Sequence, residues 1–269
     1  AKVLIMSSLE KIRNLSIIAH IDAGKTSTTE GLLFHSGLSH RYGNIDDGTT
    51  TMDFLPDERA RGITIAAAAA TIPWKDYEFH LIDTPGHIDF TAEVERSLRA
   101  IEGAVVIFSA VEGVEAQSEK VWRQADKYHV AKIAFINKMD RIGASFEQVI
   151  AQINAKFSDC ALPMQLPVGR ESDFSAIIDI LDGELIRLSG EHGEQIERSP
   201  LDENQQKQRQ EAFEKLIEKV GNFSDEIAMH YLEGEIPSRE LMQKEIRRLT
   251  IERKLVPVFL GSAKRNIGI

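Results

Sequence analysis

Residues Asn14 to Ala19, N-L-S-I-I-A, form a short apolar run that passes into Gly24-Lys25-Thr26 and then a helical pattern carrying Leu32, Leu33 and Phe34. Strand, glycine loop and helix in that order restrict the chain to α/β architectures with a helix N-terminus facing an anion. The loop itself, A-H-I-D-A-G-K-T from Ala19 to Thr26, has the spacing of a P-loop with alanine in place of the first glycine. Successive backbone N–H groups along His20, Ile21, Asp22, Ala23, Gly24, Lys25, Thr26 and Ser27 are predicted to point at a β-phosphate. Lys25 is placed to reach the β- and γ-phosphates, and the Thr26 hydroxyl to ligate Mg²⁺.

Further apolar runs follow at Phe79 to Ile82, Ala104 to Phe108, Ile133 to Ile136 and Val256 to Leu260, separated by amphipathic segments such as Phe90 to Ile101 and Glu115 to Tyr128. Strands alternating with helices imply a mostly parallel sheet covered on both faces. Ala66 to Ala70 alone favours helix, but it runs from Ile63-Thr64-Ile65 into Thr71-Ile72-Pro73 and reads as strand. Pro73 cannot donate to a ladder, so this strand is expected at a sheet edge, antiparallel to Tyr77 to Ile82 across Lys75-Asp76.

Three of the runs end in chemistry. Asp83-Thr84-Pro85-Gly86-His87 follows Ile82, placing the Asp83 carboxylate at the nucleotide crevice to hold Mg²⁺ through water, and leaving the Gly86 N–H free to approach a γ-phosphate. Asn137-Lys138-Met139-Asp140 follows Ile136. Guanine offers N1–H and N2–H₂ as adjacent donors, which the Asp140 carboxylate matches; adenine has an acceptor at N1 and no amino group at C2. Asp140 therefore selects guanine and disfavours an ATPase or kinase. Gly261-Ser262-Ala263-Lys264, after the last strand, is expected to close over the base with a backbone N–H aimed at the guanine O6.

At 269 residues, 42% apolar and 28% charged, the chain has the composition of a soluble globular protein. A net charge of −10 argues against broad adhesion to DNA or an anionic membrane, so any RNA contact must be local. The single cysteine, Cys160, cannot form an internal disulfide or a multi-cysteine metal site; it reads as a small residue near a surface loop, and a reducing cytoplasmic location is expected. No stretch reaches the length of a membrane span.

These four blocks, in this order, are those of the GTPase superfamily. The chain resembles elongation factor G in A-H-I-D-A-G-K-T, in D-E-R-A-R-G-I-T-I from Asp57 to Ile65, in D-T-P-G-H-I-D-F and in N-K-M-D-R-I-G-A-S-F from Asn137 to Phe146. The match runs almost continuously from Lys11 to Phe157 and resumes at Leu255. The resemblance implies a P-loop GTPase fold in α/β form, with GTP as substrate, GDP as product and Mg²⁺ as cofactor. It implies a ribosome-stimulated GTPase coupled to translocation or recycling, monomeric, with the ribosome as partner. It assigns Thr64 to Mg²⁺ and the γ-phosphate as the first switch, with Asp46 to Arg61 as its mobile part, and gives His87 the task of orienting the attacking water. Residues 1–157 and 255–269 are expected to form the nucleotide domain around an inserted α+β subdomain, 158–254, in which Ala212, Leu216, Ile217 and Val220 mark an apolar helix stripe and 190–199 a polar loop. Against the family's pattern, the chain is expected to stop before the last helix and the downstream domains. The ending G-S-A-K-R-N-I-G-I also resembles tetracycline-resistance ribosomal protection proteins. Another reading is a nucleotide-gated ribosome-binding module in which hydrolysis is incidental. The five alanines after Ile65 have no functional account.

Overall fold

The computed structural model describes residues 9–39, 68–83, 99–189, 193 and 195–269. Among the described residues, seven strands form the central sheet: β1 (Ile12–Ala19), β2 (Ala68–Trp74), β3 (Tyr77–Asp83), β4 (Gly103–Ser109), β5 (Ala131–Asn137), β6 (Ala161–Pro163) and β11 (Val256–Leu260), in the order β2-β3-β1-β4-β5-β11-β6. All pairings are parallel except β2 with β3. Strands β4, β5 and β11 are apolar along nearly their whole length because helices cover both faces of a parallel sheet. The chain passes from β1 outward to β3 and then back across to β4, so the order reverses around β1. That reversal opens a crevice beyond the C-terminal end of β1.

The alanine run is strand, as context rather than propensity predicts. Ala68 to Trp74 pair antiparallel with Tyr77 to Asp83 at the sheet edge, and Lys75 takes a left-handed φ of 53° in the connecting turn. Pro73, opposite Glu78, sits in the edge strand, where its missing N–H interrupts no second ladder. The segment Phe90 to Ile101, read as amphipathic, lies mostly outside the described residues.

Among the described residues, three helices belong to the sheet. They are α1 (Lys25–His35), α2 (Ala116–Lys127) and α3 (Phe146–Lys156), the last capped by Ser145, whose hydroxyl accepts from the Gln148 N–H. Trp122 of α2 stacks on Phe157 at the end of α3, ring centroids 4.2 Å apart, inside the main core. Cys160 lies in the same core instead of near a surface loop, and burial pushes its thiol up to about 11. It is therefore an uncharged, packing thiol.

Between β6 and β11 the chain builds a second, four-stranded antiparallel sheet, β7 (Gln165–Val168), β8 (Ala176–Asp179), β9 (Glu184–Ser189) and β10 (Gln195–Pro200), ordered β10-β9-β8-β7. Three helices follow, α4 (Glu203–Gly221), α5 (Asp225–Leu232) and α6 (Arg239–Ile251). Asp202 and Gln205 close a capping box on α4, and its buried face is Phe213, Leu216, Ile217 and Val220, close to the expected stripe. These side chains pack with Leu162 and Leu255 beside the last strands of the central sheet. The segment 190–199, expected to be a polar loop, is strand from Gln195 onward. Its side chains are mostly exposed and give no apolar alternation; pairing with β9 alone holds it. Strand β6, at residues 161–163, extends the central sheet past residue 157. Among the described residues no helix is long and apolar enough to cross a membrane.

Candidate functional site

Four chain segments leave the sheet at its C-terminal edge. The register places Asp83 of β3 beside Ile17 of β1, Asn137 of β5 beside Ser109 of β4, and Leu260 of β11 beside Ile136. The P-loop follows β1, and the 261–264 loop follows β11.

Gly24 caps α1 in a left-handed conformation, φ 95° and ψ 30°, with no side-chain cap. A Cβ there would lie 2.1 Å from Nδ2 of Asn137, so only glycine fits. The helix begins at once with Lys25 and Thr26, both nearly buried. The amides of Asp22, Gly24 and Thr26 donate to no acceptor among the described residues, as expected at the start of a helix.

The first half of the loop is held from the side by α2. His20 is buried, and its Nδ1 lies 3.0 Å from the Ser118 hydroxyl, while the Ile21 N–H donates to Oε1 of Gln117 at 3.2 Å. Burial lowers the His20 pKa, partly offset by Glu115, so the imidazole is neutral. The His20 ring thus packs on the scaffold; only its backbone belongs to the loop's face. Gln117 and Ser118 carried no local signal in the sequence, because their role depends on a contact some hundred residues away.

Asn137 ties the site together. Its Nδ2 donates to the Ala23 carbonyl at 2.8 Å, and its Oδ1 accepts from the Ala263 N–H at 2.8 Å. One buried carboxamide therefore binds the P-loop to the loop after β11. A second link runs from the Met139 N–H to the Gly261 carbonyl, 3.1 Å. Ser262 exchanges backbone hydrogen bonds with Ile267, closing a tight turn. With Ser262 and Ala263 so engaged, the Lys264 amide is the one without an acceptor among the described residues. Lys138 has a left-handed φ of 66° and its ammonium lies 3.3 Å from Glu112. Asp140 is half-exposed, and its carboxylate accepts no hydrogen bond among the described residues.

The donors at hand suit a hard oxygen-seeking cation that arrives with a phosphate. Thr26 offers a hydroxyl beside the loop amides, while no group of three or more His, Cys, Asp or Glu side chains among the described residues could hold an ion unaided. The side chain of Asp83, and Thr64, Gly86 and His87 entirely, lie outside the described residues.

Residues 10–269 match the family described as the elongation factor Tu GTP binding domain. The chain belongs to that family. Within this GTP-binding family it is 50% identical to elongation factor G of Fervidobacterium nodosum over 261 residues, 97% of this chain and 38% of that relative. It is 48% identical to elongation factor G of Thermotoga maritima over the same share of each. Elongation factor G 2 of Borreliella afzelii is 46% identical over 96% of this chain and 39% of its own length. The chain thus spans under two-fifths of the relatives it matches. The crystal structure of a Thermus thermophilus protein superposes with a TM-score of 0.86 at 26% identity, over 96% of this chain and 38% of that one. The expected α/β fold, a mostly parallel sheet with an inserted α+β segment, is the fold observed, and the insertion carries an antiparallel sheet of its own.

Proposed function

We propose that this chain binds GTP and Mg²⁺ at the C-terminal edge of its sheet and hydrolyses the γ-phosphate, as the nucleotide domain of a ribosomal translocation factor. The observation that carries the reading is the Asn137 carboxamide, which joins the phosphate loop to the loop expected over the base. The likeness to several elongation factor G proteins supports the translational role.

In this reading the P-loop amides and Lys25 bind the phosphates and stabilise the charge that spreads over their oxygens in the transition state. Asp140 selects guanine, with Lys138 and the Ser262 to Lys264 loop closing on the base. Thr26, Asp83 and Thr64 would hold Mg²⁺, which would supply charge neutralisation to the phosphates when bound. Gly86 admits the γ-phosphate, and His87 orients the attacking water. Hydrolysis frees Thr64 and changes the surface shown to a partner. The ribosome is that partner, and it is what accelerates turnover. The division into a nucleotide domain, 1–157 with 255–269, and an inserted subdomain, 158–254, belongs to the same proposal and is supported by the separate antiparallel sheet.

Turnover of GTP by the chain alone is expected to be slow, of the order of 10⁻⁴ s⁻¹, as for unassisted GTPases. His87→Ala should abolish acceleration by ribosomes while sparing binding to ribosomes with a non-hydrolysable GTP analogue. Undiminished, ribosome-accelerated turnover in His87→Ala would remove this residue from the mechanism.

A further inference from the structure

The inserted segment reaches both loops expected to hold the base, and it does so from one short turn. Glu171–Asp173 form a 3-10 turn between β7 and β8. Phe174, directly after it, is fully buried in the main core together with Ile177, which anchors the turn to the body of the domain. From that anchor the turn extends in two directions. Glu171 Oε1 accepts from the Gly143 N–H at 2.7 Å, three residues beyond Asp140. Arg265, adjacent to Lys264, donates from Nη1 to the Phe174 carbonyl at 2.8 Å and to the Ser172 carbonyl at 3.4 Å. Glu171 does this from a left-handed backbone, φ 51°, which a residue bearing a Cβ disfavours.

Gly143 and Arg265 lie on loops that otherwise meet through the Asn137 staple and the bond from Met139 to Gly261, both on the sheet side. The turn fastens the same two loops at positions farther along each of them. We propose that residues 171–174 form a positioning element for guanine recognition, with Glu171 and Arg265 as its positioning residues. This rests on the assignment of Asp140 and of Ser262 to Lys264 to the base. A base gripped by two loops leaves when either swings away, so fastening both lengthens the lifetime of the bound nucleotide more than it alters capture. The inserted unit thereby acts on nucleotide retention without touching the nucleotide.

The test is the release rate of fluorescent GDP from the 269-residue chain and from Glu171→Ala, Glu171→Gln, Arg265→Ala and Arg239→Ala. Arg239 pairs with Asp182 elsewhere in the inserted unit and serves as the control. Glu171→Ala and Arg265→Ala are expected to release GDP about fivefold faster, the effect of losing one or two partly exposed charge-assisted hydrogen bonds, with association rate unchanged. Glu171→Gln, which keeps an oxygen acceptor, should restore slow release, and Arg239→Ala should match the unmutated chain. Unaltered release in Glu171→Ala and Arg265→Ala, or equal acceleration by Arg239→Ala, overturns the inference while leaving guanine binding intact. Failure of the unmutated chain to bind GDP overturns the guanine reading and this inference with it.

Discussion

Gly24 and His20 show how single residues set the P-loop. Gly24→Ala forces a side chain into a left-handed backbone, at about 1–2 kcal/mol, and drives its Cβ against the Asn137 carboxamide. Urea unfolding should show at least that loss, and GDP titration a matching fall in affinity; an unchanged protein would mean that the loop adopts another conformation. His20 carries a pH signature. Burial holds its pKa below the ordinary 6.5, so the unfolded chain binds more protons than the folded one. Its contribution is complete above pH 6.5 and is lost as pH falls through the lower folded value. Between about pH 7.5 and about pH 5.5 the unmutated chain should therefore lose more stability in urea than His20→Gln does. Equal losses would contradict the buried neutral imidazole.

At the scale of elements, the site is three loops held by one strand end. Asn137→Ala removes both hydrogen bonds of this buried carboxamide, to the Ala23 carbonyl and from the Ala263 N–H, which should lower stability by about 2–4 kcal/mol and weaken GDP binding in the same protein. Chemical denaturation with parallel nucleotide titration checks both. The strands that carry these loops were legible in the sequence, because the apolar runs within β1, β5 and β11 lead into the loops of Gly24, Asn137 and Gly261. Strands β6 and β7 were not, since Pro163 and Pro167 look like loop residues until each strand is seen to be the edge of its sheet. Strand β10 was invisible for a different reason. Gln195 to Pro200 bury almost nothing, so no periodicity marks them. The motif residues were named from spacing alone, whereas Ser118, Gln117, Glu171 and Arg265 became visible only through contacts made by distant chain segments.

For the whole molecule, membership of the GTP-binding family and the crevice at the sheet edge support the proposed guanine-nucleotide site. In the proposed function Asp140 selects guanine over other bases, so it carries the central claim. The most direct measurement is competition of GDP, ATP and XDP for a fluorescent guanine nucleotide on the unmutated chain and on Asp140→Asn. The account predicts strong preference for GDP in the first and a shift toward XDP in the second, whose amide can donate to the C2 carbonyl of xanthine. Comparable binding of ATP and GDP to the unmutated chain, or an Asp140→Asn protein that keeps its preference for GDP, would contradict it.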